Sequence, residues 1–183
     1  MPPLDYSQHD CPPGYRIRSG TPADDERLVA IENAAGRLFA DHGYQAVAED
    51  GFENVAQLRS ILRSGDMFVA VDGDDCPVGF AFARSLAGWL HLRELSVDPA
   101  HGRKGLGRAL VNTVVAAARS AGLAGVTLTT FRTVRFNQPF YESLGFRELL
   151  AFDAPPILAD MFRSEIPHGI DPAERLIMRF LLD

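Results

Sequence analysis

Residues 94–108 read ELSVDPAHGRKGLGR, and the elements expected in the rest of the chain are arranged around this stretch. Its first residues are typical of a strand that ends at Val97. Asp98-Pro99 interrupts the strand, and three glycines follow within six residues. From Gly105 to Ala121 the apolar residues recur with helical spacing. The stretch therefore predicts a strand, a glycine-rich loop and a helix in succession.

The glycine-rich loop has the composition of an anion-binding site. Glycines let the backbone approach a ligand closely, and the free N–H groups at a helix start favour negative charge. Arg103, Lys104 and Arg108 add positive charge, and Lys104 is the only lysine in the chain. The spacing fits neither a P-loop nor a Rossmann fingerprint. A pyrophosphate is the expected ligand, although a tight strand-to-helix turn that binds nothing would carry the same glycines.

An antiparallel meander is predicted before the loop. Residues 67–71, 77–86 and 89–97 have strand composition, and the turns between them contain Asp72-Gly73 and Ala87-Gly88. Each turn is too short for a crossover, so the three strands are expected to be neighbours.

The other predicted elements are assigned from apolar period and from turn residues. They are a strand at 15–18, a helix from Thr21-Pro22 to Gly43, a helix at about 53–64, a strand at 126–131, a short helix at 138–144, a strand at 146–152, a proline-punctuated connection at 154–172 and a closing strand at 175–182.

Length and composition indicate one globular domain. The 183 residues suffice for one core, predicted over residues 15–183 after an irregular, proline-rich arm at 1–14. The net charge of −6 argues against a nucleic-acid partner. No stretch predicts a membrane span or a secretory signal, so a cytoplasmic location is expected. The two cysteines, Cys11 and Cys76, predict neither a disulfide framework nor a metal site.

Two motifs taken together resemble the GNAT superfamily of acetyl-CoA-dependent N-acetyltransferases. They are LSVDP with GRKGLGRAL at residues 95–110, and FYESLGF at residues 140–146. The resemblance extends over nearly all of the chain except the arm. It implies an α/β fold with a mixed, mostly antiparallel twisted sheet, helices on both faces and a splayed central strand pair. A homodimer is compatible with such a fold.

The resemblance also implies which residues bind acetyl-CoA, the expected cosubstrate. The backbone of Leu95, Ser96 and Val97 would bind the pantetheine arm and the acetyl group. The pyrophosphate would be held by the backbone N–H groups of Arg103, Lys104, Gly105, Leu106, Gly107 and Arg108. Gly102 stands where the family pattern has Gln or Arg, which leaves the side-chain contacts of the loop open. Asn137 would either contact the CoA arm or cap the following helix.

The resemblance assigns the chemical roles to two residues. Tyr141 matches the general acid that protonates the departing thiolate. Glu94 matches a general base that acts through water, but it could also be a solvated carboxylate paired with Arg93 or Arg84. His91 is the rival base, although strand alternation turns it away from Glu94.

The acceptor is the least specified part of the site. Residues 31–52 correspond to the roof of the acceptor site in the family and contain the polar or aromatic residues Glu32, Phe39, His42, Tyr44, Glu49 and Asp50. Acids there could hold a cation, and a solvated face without a role is an equal alternative. Arg132 and Arg135 could meet a CoA phosphate or an anionic substrate group.

The expected reaction is direct transfer of acetyl to a primary amine of a small molecule. No metal is implied. The alternatives are acetylation of a protein or peptide amine, and a non-catalytic module that binds or senses acyl-CoA.

Overall fold

A computed structural model describes residues 11–62 and 64–182. Within them the chain forms the strands β1 (Arg16–Ser19), β2 (Asp66–Val71), β3 (Pro77–Leu86), β4 (Trp89–Val97), β5 (Gly125–Phe131), β6 (Arg147–Leu149) and β7 (Arg175–Leu181). The α-helices are α1 (Asp25–Gly36), α2 (Gln45–Glu49), α3 (Val55–Ile61), α4 (Leu106–Ser120), α5 (Gln138–Ser143) and α6 (Pro156–Ser164). Short 3-10 helices cover Arg37–His42, Pro99–His101 and Pro172–Glu174.

The strands form one sheet with the order β1-β2-β3-β4-β5-β7-β6. β4 pairs with β5 in parallel. The pairings of β1 with β2, β2 with β3, β5 with β7 and β6 with β7 are antiparallel. The predicted fold class, with a mixed and mostly antiparallel sheet, is therefore confirmed.

The chain divides into two compact units. The first contains the residues up to Ala83 and Glu94–Val114, and the second contains Arg84–Arg93 and the residues from Val115 onward. The single domain predicted over residues 15–183 stays a prediction. Of the predicted arm, residues 1–10 lie outside the described residues, and Cys11–Gly14 form a turn in which Tyr15 N–H donates to the Pro12 carbonyl.

The core of the first unit is built where α1 and α3 meet β2 and β3. Leu28 and Ile31 are three residues apart in α1 and are both fully buried. Val69 and Val71 alternate along β2 and lie in the same apolar cluster. Burial of each such side chain contributes about 1.5–3 kcal/mol, so these four residues anchor the helices on the strands.

The core of the second unit includes a contact between α6 and the closing strands. Leu158 of α6 packs with Leu149 of β6 and Ile177 of β7, and all three are buried. Trp89 and Phe162 border this cluster. The position of α6 is thus fixed by apolar burial at its centre.

The first predicted helix is wrong at both ends. It begins at Asp25, because the carboxylate of Asp24 accepts hydrogen bonds from the N–H and hydroxyl of Thr21 and keeps residues 21–24 in a turn. Its α-helical part ends at Gly36, and a 3-10 helix continues to His42. Gly43 therefore ends the 3-10 helix.

The predicted connection at 154–172 is wrong as well, because it contains α6. Pro156 occupies the first turn of that helix, where a proline needs no hydrogen-bond partner. The strand predicted at 146–152 is only Arg147–Leu149, because the chain turns back between Leu150 and Asp153. The second helix is also shorter than predicted, since the Asn54 side chain caps α3.

Candidate active site

The glycine-rich loop lies in the first unit, directly before α4. Arg103 (φ 58°) and Gly105 (φ 90°) both have left-handed backbone conformations. Such turns direct backbone N–H groups into an anion-binding concavity. α4 has 15 residues, so its dipole and its first N–H groups favour an anion at the same place. The loop therefore has the geometry of an anion-binding site, and its contact with a pyrophosphate stays a prediction.

The charged side chains of the loop face solvent, and its one large apolar side chain is buried. Arg103, Lys104 and Arg108 are exposed, whereas Leu106 is buried. Leu106 thus anchors the start of α4 in the core. The three cations are therefore in contact with solvent.

Tyr15 joins two residues of the loop region, a contact that the sequence did not predict. Lys104 Nζ donates to the Tyr15 hydroxyl over 3.1 Å. The same hydroxyl lies 2.9 Å from His101 Nδ1. Tyr15 precedes β1, nearly ninety residues before the loop. No local signal pointed to this contact.

The strand residues predicted to bind the pantetheine arm differ in burial. Leu95 and Val97 are half-buried, whereas Ser96 is buried and its hydroxyl donates to Glu94 Oε1 over 3.2 Å. Glu94 itself is half-buried. The predicted base and the residues predicted to bind the pantetheine arm thus lie next to each other on the same strand, β4.

The parallel pairing of β4 with β5 is short. Its register is Leu90 with Val126, His91 with Thr127 and Leu92 with Leu128. β4 continues to Val97 and β5 to Phe131. The described ladder therefore covers only three pairs, and both strands extend past the last one.

Tyr141 and Asn137 lie together in the second unit. Tyr141 is buried in α5 and makes edge contacts with the rings of Phe140 and Phe146. Its N–H donates to the Asn137 carbonyl over 3.0 Å. The Asn137 side chain makes no capping hydrogen bond, so the capping interpretation is wrong. Asn137 is buried, and its contact with the CoA arm stays a prediction.

His91, the rival base, is enclosed in a polar cluster of the second unit. It is only 1% exposed. Its Nδ1 lies 3.0 Å from Thr127 Oγ1, and its Nε2 lies 3.2 Å from Glu165 Oε1. Both ring nitrogens are engaged, so neither is free to accept a proton from a substrate in this arrangement.

Glu165 is the centre of that cluster. Arg93 donates to Glu165 Oε1 over 2.5 Å, and the Thr129 hydroxyl donates to Oε2 over 2.6 Å. Burial on its own would raise the pKa of the Glu165 carboxyl. The hydrogen bond and charge of His91, the charge of Arg93 and the hydrogen bond from Thr129 outweigh burial and lower the pKa to about 2. Glu165 is therefore a carboxylate held firmly in its ionised form.

Sequence reasoning missed Glu165 because it missed α6. The signal was the Pro155-Pro156 helix start followed by Leu158 and Phe162 at helical spacing. A glutamate directly after such a helix is brought to the sheet by the helix contact. The position of that contact, however, is a tertiary property.

The predicted acceptor region forms the 3-10 helix and α2 of the first unit. Glu32 accepts a hydrogen bond from the Phe52 N–H over 3.2 Å. Burial raises the pKa of Glu32, the Phe52 hydrogen bond opposes this, and the charge of Asp50 adds to the rise. Tyr44 is buried, whereas Glu49 is exposed.

Comparisons with known proteins identify the family. The family model described as the acetyltransferase (GNAT) family matches residues 28–146. The chain therefore belongs to the GNAT family of acetyltransferases. This makes it an acyltransferase with acetyl-CoA as cosubstrate.

Solved structures share the fold at low sequence identity. The ribosomal-protein-S18-alanine N-acetyltransferase of Escherichia coli is 20% identical, with 92% of this chain and 94% of that chain covered and a TM-score of 0.66. The PaiA N-acetyltransferase of Thermoplasma acidophilum, solved with coenzyme A, is 18% identical, with 92% and 99% covered and a TM-score of 0.67. The N-acetylglutamate synthase of Neisseria gonorrhoeae, solved with coenzyme A and N-acetyl-glutamate, is 17% identical, with 92% and 35% covered and a TM-score of 0.67.

Among the described residues, neither a membrane-spanning helix nor a metal-binding cluster is found. Among residues 11–62 and 64–182, no helix is long and apolar enough to cross a membrane. The same residues contain no group of three or more His, Cys, Asp or Glu side chains that could hold a metal ion.

Proposed function

We propose that the protein transfers the acetyl group of acetyl-CoA to a primary amine of a small molecule by direct attack. The observation that carries this proposal is the glycine-rich loop with left-handed residues at 103 and 105, placed at the start of the long helix α4 in a GNAT-family chain. Direct attack requires no covalent enzyme intermediate. It forms an N–C bond and breaks the C–S bond of the thioester.

Backbone groups and exposed cations would share the binding of acetyl-CoA. The backbone N–H groups of 103–108 hold the pyrophosphate, and the exposed cations Arg103 and Lys104 add charge-assisted contacts. The backbone of residues 95–97 pairs with the pantetheine arm. Asn137, whose side chain does not cap α5, contacts the same arm.

The catalytic roles concern two protons. Glu94 takes the proton of the attacking amine through a water molecule, and its half-buried position next to the Ser96 hydroxyl leaves it accessible to such a water. Tyr141 gives its phenolic proton to the departing thiolate. A buried phenol held by the rings of Phe140 and Phe146 is fixed in orientation, as a general acid must be.

The test is release of the CoA thiol with a panel of polyamines, aminoglycosides, amino acids and peptides. We expect turnover with at least one small-molecule amine. Tyr141→Phe should then lower kcat by about 100-fold to 10,000-fold and leave the affinity for acetyl-CoA and the melting temperature nearly unchanged. Unchanged turnover in Tyr141→Phe would remove the acid assignment.

The same panel separates the alternative functions. Turnover with peptides alone would assign the protein to protein acetylation, the activity named for the Escherichia coli structural neighbour. Binding of acetyl-CoA without turnover on any amine would support a sensing module. Absence of any CoA binding would contradict the whole proposal.

A further inference from the structure

The carboxylate of Glu165 lies at a particular place on the sheet, the point where the β4–β5 ladder stops. The last described pair of that ladder is Leu92 with Leu128. Arg93 and Thr129 are the next residues on the two strands. Glu165 Oε1 accepts from Arg93, and Oε2 accepts from Thr129. The side chain therefore links the two strands where the recorded backbone pairing ends.

The residues before and beside this point extend the link. His91 and Thr127 form a pair of the ladder, and their side chains are joined by the 3.0 Å contact between Nδ1 and Oγ1. His91 Nε2 also reaches Glu165. Arg175, the first residue of β7, donates to the Thr129 hydroxyl over 2.9 Å. Four strand residues and Glu165 thus form one hydrogen-bonded network, here called the fork cluster: His91, Arg93, Thr127, Thr129 and Glu165.

We propose that Glu165 is a positioning residue that fixes where β4 and β5 separate, and thereby sets the backbone that receives the acyl-pantetheine arm. The inference rests on the proposed function, because that function places the arm on the strand directly after Arg93. Glu165 does not touch the reacting atoms. It acts through the spacing of Arg93 and Thr129.

The physical basis is the geometry of charge-assisted hydrogen bonds. A carboxylate accepting from two strands holds both donors at fixed distances, and bonds to a charged group are short and strong. Glu165 is 6% exposed, so water does not compete for these bonds. A buried ion pair often adds little net stability compared with an apolar core, but it does specify one arrangement of the groups around it.

The attachment of Glu165 to α6 brings in a group that is not itself part of the β4–β5 ladder. Glu165 follows α6 directly, and the helix is held by Leu158 against Leu149 and Ile177. The carboxylate is therefore delivered to the strands from outside the β4–β5 pair. Because Glu165 bonds to one residue on each strand, a slip by one pair would break at least one of these bonds, and the cluster therefore opposes such a slip.

The test compares ligands that do and do not carry the pantetheine arm. ADP carries a pyrophosphate but no pantetheine, whereas CoA carries both. In Glu165→Gln and Thr129→Val we expect the dissociation constant for CoA and the KM for acetyl-CoA to rise about tenfold, with ADP binding within about twofold of wild type. The change in kcat at saturating acetyl-CoA should be smaller than the change in KM.

Asp160→Asn is the matched control. Asp160 accepts a hydrogen bond from Arg163 on α6 in the second unit, and both side chains are exposed. Its substitution also removes an ion pair, but outside the fork cluster. We expect CoA and ADP affinities to stay at the wild-type values. A double variant of Glu165→Gln with Thr129→Val should lose little more CoA affinity than either single variant, because both remove the same link.

Three results would overturn the proposal. One is unchanged CoA affinity in a folded Glu165→Gln and a folded Thr129→Val. The second is an equal loss of ADP and CoA affinity, which would mean a general structural role. The third is fully additive losses in the double variant. Wild-type protein that binds no CoA would instead contradict the proposed function itself, and is recognised before any variant is made.

Discussion

The glycine-rich loop and the fork cluster are both polar sites, but they are built in opposite ways. The loop is one contiguous stretch, its cations are exposed, and its proposed ligand contacts come from backbone N–H groups. The fork cluster joins β4, β5 and the residue after α6, and its groups are buried or partly buried side chains. The loop is open to a ligand from solvent, whereas the donors of the fork cluster bind the carboxylate of Glu165. We therefore propose that the loop holds the phosphates of the ligand and that the cluster positions the strand that receives its pantetheine arm.

The ionised carboxylate of Glu165 in the fork cluster predicts that the stability of the protein depends on pH. Glu165 has a pKa of about 2 against an ordinary 4.5, so its ionised form stabilises the fold above about pH 4.5, and this contribution is lost as the pH falls toward 2. At 1.4 kcal/mol per pKa unit, the contribution at neutral pH is about 3 kcal/mol. Glu165→Gln should lower the free energy of unfolding by up to that amount at pH 7, measured by urea denaturation.

The difference in the free energy of unfolding between wild type and Glu165→Gln should then decrease as the pH falls. Below about pH 2 the two proteins should approach equal stability, since the Glu165 carboxyl is then protonated in the folded as well as in the unfolded protein. Glu148→Gln, at a partly exposed carboxyl whose pKa is lowered mainly by its hydrogen bond from Arg132, should show a smaller loss. A Glu165→Gln difference that stays constant with pH would contradict the charge-based account of the cluster.

A smaller effect is expected from the tyrosine beside the loop. Tyr15→Phe removes the hydroxyl that Lys104 Nζ and His101 Nδ1 approach. These groups are partly solvated, so the free energy of unfolding should fall by about 1 kcal/mol or less. Thermal denaturation measures this. A loss as large as that of Glu165→Gln would show that the loop depends on side-chain contacts as much as the cluster does.

The smallest change in the free energy of unfolding is expected for a substitution of Glu32, and it should stabilise the protein instead of destabilising it. Burial and the charge of Asp50 raise its pKa, so the ionised form is disfavoured in the folded state. The stability that follows from the raised pKa of Glu32 is present below the ordinary pKa of 4.5. It is lost as the pH rises through the raised value. Glu32→Gln should therefore stabilise the protein slightly at pH 7 and not at pH 4. Equal stabilisation at both pH values would contradict this.

The sequence predicted the ends of the central elements closely, because clear turn and break residues mark where these elements begin and end. β3 and β4 span the predicted residues 77–86 and 89–97, between the Asp72-Gly73 and Ala87-Gly88 turns and the break at Asp98. α4 lies within one residue of the prediction at each end. The loop could be recognised for the same reason, since all its chemistry is contiguous.

The sequence could not predict features that depend on distant contacts. The prolines at 155 and 156 were interpreted as breakers, although a proline in the first turn begins α6. With α6 missing, nothing connected Glu165 to His91, which is 74 residues away. The Asn137 position in the helix start was predicted, but its side-chain conformation was not. Residue type and spacing did not reveal the hydrogen-bond partner of each polar side chain.

The most direct test of the loop as the CoA site compares two glycines at opposite ends of α4. Gly105 (φ 90°) precedes the helix and Gly122 (φ 65°) follows it, and alanine at either position is strained by about 1–3 kcal/mol. A Cβ at Gly105 would lie 3.5 Å from Pro12 Cγ, an ordinary contact, and a Cβ at Gly122 would meet nothing within 4 Å. Backbone strain is therefore the main cost in both variants.

Calorimetric titration with CoA should separate these two variants. We expect Gly105→Ala to bind CoA about tenfold more weakly than wild type, because the N–H groups of the loop change direction. Gly122→Ala should lose similar stability and keep the wild-type dissociation constant. Equal dissociation constants for Gly105→Ala and Gly122→Ala would contradict the assignment of the glycine-rich loop as the phosphate site of an acetyltransferase.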